Sequence, residues 1–191
     1  TTAFFALAFA SMSTAQSDRV IVAGSIGAGG SWDIVRMQMD GSNMQTLVGS
    51  AADEYGHDLD ASGTRLLYNS DATGTRQVYE FNLATRATRQ LTFFGENIFP
   101  RWSPDGTRIL FTHAPSVGAR ADLCIMDSLG ANIVNITNSP SVHDAIGEWS
   151  PNGQRIVFSS GVPDGGINIF TISPSGSSPF QVTNLSWDEY H

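Results

Sequence analysis

Trp102-Ser103-Pro104-Asp105-Gly106-Thr107-Arg108-Ile109-Leu110-Phe111 returns 47 residues later as Trp149-Ser150-Pro151-Asn152-Gly153-Gln154-Arg155-Ile156-Val157-Phe158. A worn copy, Leu59-Asp60-Ala61-Ser62-Gly63-Thr64-Arg65-Leu66-Leu67-Tyr68, stands 43 residues before the first. A decamer recurring at this period marks an array of small units, because one unit cannot bury its own apolar face and must stack on its neighbours. Pro-Asp-Gly and Pro-Asn-Gly supply what a tight turn requires: a preset φ, a side chain that bonds its own backbone, and a residue free to take positive φ. The runs that follow, Arg108–Thr112 and Arg155–Ser159, are short and rich in branched and aromatic residues, which predicts strands.

The register continues through each unit. Asp33–Met37, Gln77–Phe81, Asp122–Met126 and Asn168–Ile172 align, each followed by a polar turn and a short strand ending at Leu47, Leu91-Thr92, Ile136-Thr137 or Val182-Thr183. No stretch keeps apolar residues at helical spacing between caps. Four strands per unit, radially repeated, predict an all-β fold of the β-propeller class, with four-stranded blades of about 42–47 residues.

The pattern from Trp102 to Phe111, then Asp122-Leu123-Cys124-Ile125-Met126-Asp127 with Gly130, then Asn135-Ile136-Thr137, resembles the WD-like propeller repeat of the TolB family. The resemblance covers residues 18–191, as repeats at roughly 18–53, 54–96, 97–143 and 144–188. It implies fold more strongly than function, since such repeats serve periplasmic TolB proteins, prolyl-oligopeptidase-type peptidases and oligogalacturonate lyases alike. TolB-like proteins carry an α/β domain before the propeller, whereas here the first repeat begins almost at once.

Residues 1–15 hold no charge, include Ala3-Phe4-Phe5-Ala6-Leu7-Ala8-Phe9-Ala10, and end in the small residues Ser13-Thr14-Ala15. They read as the remnant of a signal peptide, which places the protein in the periplasm or outside the cell. The run is too short to span a bilayer. Both ends read as cut: Asp188-Glu189-Tyr190-His191 mirrors Asp53-Glu54-Tyr55-Gly56-His57, the lead-in to a decamer. The first repeat, starting near Arg19, lacks an innermost strand, so the propeller reads as partial, with open flanks through which chains would associate. A formal net charge of −8 with only 10 basic residues excludes a phosphate-binding surface and hence a nucleic-acid partner. The single cysteine, Cys124, shares a column with Val35, Tyr79 and Phe170 and reads as a buried strand residue.

One column is a candidate site. Five positions before the Leu59, Trp102 and Trp149 anchors stand Glu54, Asn97 and Asp144, with Asp188 the equivalent in the last lead-in. The resemblance implies that this position enters the innermost strand, where these groups would form a channel-facing polar ring suited to Ca²⁺ or to a basic peptide. The same residues also suit plain bonding to turn amides. Beyond that cation no cofactor is expected, and the residues show no crisp metal-ligand spacing. His57 and His191 share a column, and His113 takes the place of Ser70 and Ser160. Trp102, Pro104, Asp105, Gly106, Trp149, Pro151, Asn152 and Gly153 read as structural anchors of the repeat. Trp32 and Trp187 lie outside the anchor column, at loop positions. The connectors Gly24–Gly30, Ser116–Ala119 and Val162–Gly166 vary in length, as recognition loops on one propeller face do.

No catalytic motif is present: there is no Gly-x-Ser-x-Gly elbow, and no Ser/His/Asp set that spacing singles out. The reading favoured is an exported, non-catalytic scaffold with a protein or peptide partner in the cell envelope. The alternative is the gating propeller of an exported prolyl-oligopeptidase-type hydrolase. A lyase acting on acidic sugars is disfavoured by the acidic column.

Overall fold

The computed structural model describes residues 19–25, 31–38, 40–161 and 166–184. The signal-peptide reading of 1–15, the connector at 26–30, most of the Val162–Gly166 loop, and Trp187, Asp188 and His191 lie outside the described residues. The chain divides into two compact units, Thr1–Phe93 and Phe94–His191.

In the first unit, β1 (Arg19–Ser25), β2 (Trp32–Gln38) and β3 (Gln45–Val48) form a three-stranded antiparallel sheet. A four-stranded sheet follows, from β4 (Glu54–Leu59), β5 (Arg65–Ser70), β6 (Gln77–Asn82) and β7 (Thr88–Gln90) in sequence order. Strand alternation sends Ile34 and Leu47 of the one sheet against Leu66, Tyr68, Tyr79 and Phe81 of the other. Tyr68 and Tyr79 stack there, 5.4 Å between centroids.

The second unit repeats the design. Its third sheet comprises β8 (Glu96–Trp102), β9 (Arg108–Ala114), β10 (Asp122–Asp127) and β11 (Val134–Asn135). The fourth comprises β12 (Asp144–Trp149), β13 (Ile156–Gly161), β14 (Ile167–Ile172) and β15 (Phe180–Gln181). Leu110, Leu123, Ile125 and Ile136 of the third sheet pack against Trp149, Ile156, Phe158 and Ile172 of the fourth. Trp149 alone contributes on the order of 2–3 kcal/mol through this burial. The opposite face of the fourth sheet is exposed at Val157, Ile167, Ile169, Phe180 and Val182. Cys124 is buried, which pushes its thiol pKa up to about 12.

The decamer turns owe their shape to the residues that repeat. Gly106 and Gly153 both take φ +67°, and their N–H groups donate to the carbonyls of Ser103 and Ser150 at 2.8 Å. Asp105 Oδ1 accepts from the Ser103 hydroxyl at 2.6 Å and the Thr107 N–H at 3.0 Å. Asn152 Oδ1 accepts from Ser150 at 2.8 Å and the Gln154 N–H at 3.1 Å. In the worn copy Asp60 combines both roles, its Oδ1 taking the N–H groups of Thr64 and Arg65 at 2.9 Å each.

The first strand of each four-stranded sheet is bulged, between Tyr55 and Asp58, Ile98 and Arg101, and Ala145 and Glu148. The bulges hold Phe99 at φ 55° and Ile146 at φ 54°. Bulky and β-branched residues resist that conformation, so strain is stored here.

Candidate functional site

β4, β8 and β12 each carry one residue of the candidate column at or beside their start. Glu54, Asn97 and Asp144 pair across the ladder with Ser70, His113 and Ser160, and all three are buried. Their hydrogen bonds differ. Glu54 Oε1 accepts from the hydroxyls of Ser50 at 2.7 Å and Ser70 at 3.2 Å. Burial nevertheless holds its carboxyl above the usual glutamate range. Asn97 donates to the Phe94 carbonyl at 2.7 Å, and its Oδ1 lies 2.9 Å from His113 Nδ1.

Asp144 has neither arrangement, and neither of its carboxylate oxygens has a hydrogen-bond partner. Two substitutions within the repeat explain this. Pro140, which cannot donate, stands where Ser50 serves Glu54. The Ser160 hydroxyl turns to the Gly161 carbonyl at 3.3 Å. Among the described residues no group of three or more His, Cys, Asp or Glu is disposed to hold a metal ion.

His113 is half-buried, and desolvation lowers its pKa from the ordinary value against an opposing effect of Asp122. The ring of Phe94 meets it edge-on, centroids 5.3 Å apart. Gly95 makes that approach feasible. It takes φ +63°, and a Cβ there would collide with the Ala114 carbonyl and the His113 ring. His143 has a structural part, its Nδ1 accepting the Ala121 N–H at 3.1 Å. Trp32 opens strand β2 instead of lying in a loop; it is half-buried, and its N–H donates to Asp53 Oδ1 at 2.9 Å.

At this same end of the third sheet, set by the Glu96–Ala114 pairing, two apolar side chains project into solvent. Phe94 is 54% exposed on the connection into β8, and Val117 is 69% exposed on the β9–β10 loop. The Ser116–Ala119 connector, whose varying length reads as that of a recognition loop, contains Val117 without singling it out. Phe94 was missed, because nothing in its spacing separates an exposed aromatic from a core one.

Residues 10–190 match the family described as the TolB beta propeller domain. A Tol-Pal system protein TolB from Anaeromyxobacter dehalogenans is 31% identical over 113 residues, covering 59% of this chain and 26% of that protein. The chain thus spans about a quarter of the length of this curated relative. Among solved structures, TolB from Acinetobacter baumannii superimposes with a TM-score of 0.71 at 22% identity, over 83% of this chain and 39% of that one. A puromycin-hydrolyzing peptidase of Mycobacterium tuberculosis gives 0.64 at 15% identity, over 86% and 26%. At such identities these two likenesses speak to the fold alone.

Proposed function

The chain belongs to the TolB β-propeller domain family, and from that premise we propose that it is an exported, non-catalytic propeller that holds a protein partner of the cell envelope. The observation that carries the reading is the exposed pair Phe94 and Val117 at the end of the third sheet where Asn97 enters β8. A rigid sheet presenting an exposed aromatic at the entry to one of its strands, beside a loop of varying length, is how a scaffold supplies a binding anchor. The phenylalanine is already oriented by His113, so little side-chain freedom is lost when a partner covers it. The relatives' place in a Tol-Pal system supports an envelope protein as that partner, and periplasmic residence with it.

The test is gel filtration of the purified chain mixed with the Pal component of a Tol-Pal system from the same source. Co-elution at concentrations of about 10 µM supports the reading, since that corresponds to ordinary transient affinity. Separate elution at that concentration contradicts it. A gating propeller of an exported hydrolase is the alternative; it predicts separate elution here and peptidase activity in the full gene product.

A further inference from the structure

The two decamer turns of the second unit face each other across a hollow of about 310 Å³, lined by Pro104, Asp105, Arg108, Pro151 and Asn152. The Arg108 guanidinium lies 4.9 Å over the Trp149 ring. Among the described residues that guanidinium donates no hydrogen bond, unlike its repeat counterparts. Arg65 is held by Asp60 at 3.1 Å. Arg155 donates to Thr171 Oγ1 at 2.6 Å and the Ser178 carbonyl at 3.1 Å. In the third sheet Ser103 replaces Asp60 and Ile125 replaces Thr171, so both side-chain acceptors are gone.

A second group in the hollow has spare capacity. Asp105 Oδ1 accepts bonds from Ser103 and Thr107, whereas its Oδ2 accepts none. Those bonds hold its carboxyl down to about 2, so it is ionised across the physiological range. Arg108 and Asp105 form no ion pair with each other. The Asn152 amide is engaged only weakly, donating to Gln154 at 3.5 Å.

The local charges cancel, which favours neither an anion nor a cation. What remains is a shelf of guanidinium donors, one open carboxylate oxygen and an amide, flanked by two proline rings. Hydroxyl groups accept from the first and donate to the second. The volume is at the small end for ligand sites. We infer that the hollow between the Pro104 and Pro151 turns binds a neutral polyhydroxy ligand of the size of one sugar ring. This site is independent of the partner surface at Phe94.

The experiment is a ¹⁵N–¹H NMR titration of the chain with D-glucose, with sodium acetate and tetramethylammonium chloride as charged controls. The site predicts saturable shifts of the Gly106 and Gly153 amides with glucose and none comparable with either ion. Arg108→Met keeps the aliphatic stem but removes the donors, and is expected to weaken glucose binding about tenfold. If that variant melts early, Asp105→Asn serves instead, because it copies the turn that Asn152 already builds. No saturable shift up to on the order of 100 mM glucose overturns the inference. So does a stronger response to acetate, or glucose binding that survives both substitutions unchanged.

Discussion

Thr92 Oγ1 donates to the side-chain oxygen of Gln77 at 2.7 Å while accepting the Val78 N–H at 2.9 Å, with both side chains buried. Thr137 bonds Asp122 at 3.1 Å and the Leu123 N–H at 3.0 Å, and Thr183 bonds Asn168 at 3.0 Å and the Ile169 N–H at 2.9 Å. The third and fourth strands of three sheets are thus clasped by one hydroxyl. Thr92→Val keeps the shape but strands a buried amide N–H and loosens Gln77. We expect it to cost about 2 kcal/mol in a urea melt.

The first sheet lacks this clasp, because Val48 stands in the threonine column and Asp33 Oδ1 has no partner. Val48→Thr is therefore expected to stabilise the chain, by about 1 kcal/mol for one added bond. A lower melting temperature would show that Asp33 is already served by another group.

Ile146 is 61% exposed at φ 54°, so it contributes strain with little burial to offset it. The same column holds Gly56 in the second repeat. Ile146→Gly should raise stability by about 1 kcal/mol, the usual penalty for a branched residue in this region. Denaturant midpoints compare the two proteins directly.

The Asp105 carboxyl is held down to about 2, chiefly by the Ser103 hydroxyl and then by Thr107. Its folded-state pKa lies below the unfolded value, so its stabilisation is present above pH 3.8 and is lost as pH falls through about 2. Asp105→Asn should flatten that part of the melting profile and leave the neutral region little changed. Other carboxyls, Asp60 among them, are lowered as well, so the difference between the two proteins is the quantity to read.

The uncovered face of the fourth sheet predicts self-association. Ile167 and Phe180 are each 64% exposed there, beside Val157, Ile169 and Val182. Ile169→Lys with Phe180→Lys should lower the weight-average mass in sedimentation at constant protein concentration. An unchanged mass would place the association elsewhere.

The architecture was legible because turn chemistry and period are local properties. Trp102-Ser103-Pro104-Asp105-Gly106 carries its own hairpin, and the Leu91-Thr92 type of anchor kept the register across sheets. The equivalence of Glu54, Asn97 and Asp144 was visible for the same reason. Their hydrogen bonding was not, since it depends on Ser50, Phe94 and Pro140, which the decamer does not include. The clasp was half visible: the threonines stood out, but their partners in the preceding strand did not. The strained bulges at Phe99 and Ile146 left no sign in the sequence, because their residue types argue against the conformation they adopt.

The claim that the Phe94 end of the third sheet is a partner-binding surface is tested most directly by calorimetric titration. The Pal component would be titrated into the chain and into its Phe94→Ala variant, with both melting temperatures measured alongside. The account predicts at least about a tenfold loss of affinity in the variant with its fold intact, as for a central aromatic anchor. Equal affinities for the two proteins would contradict it.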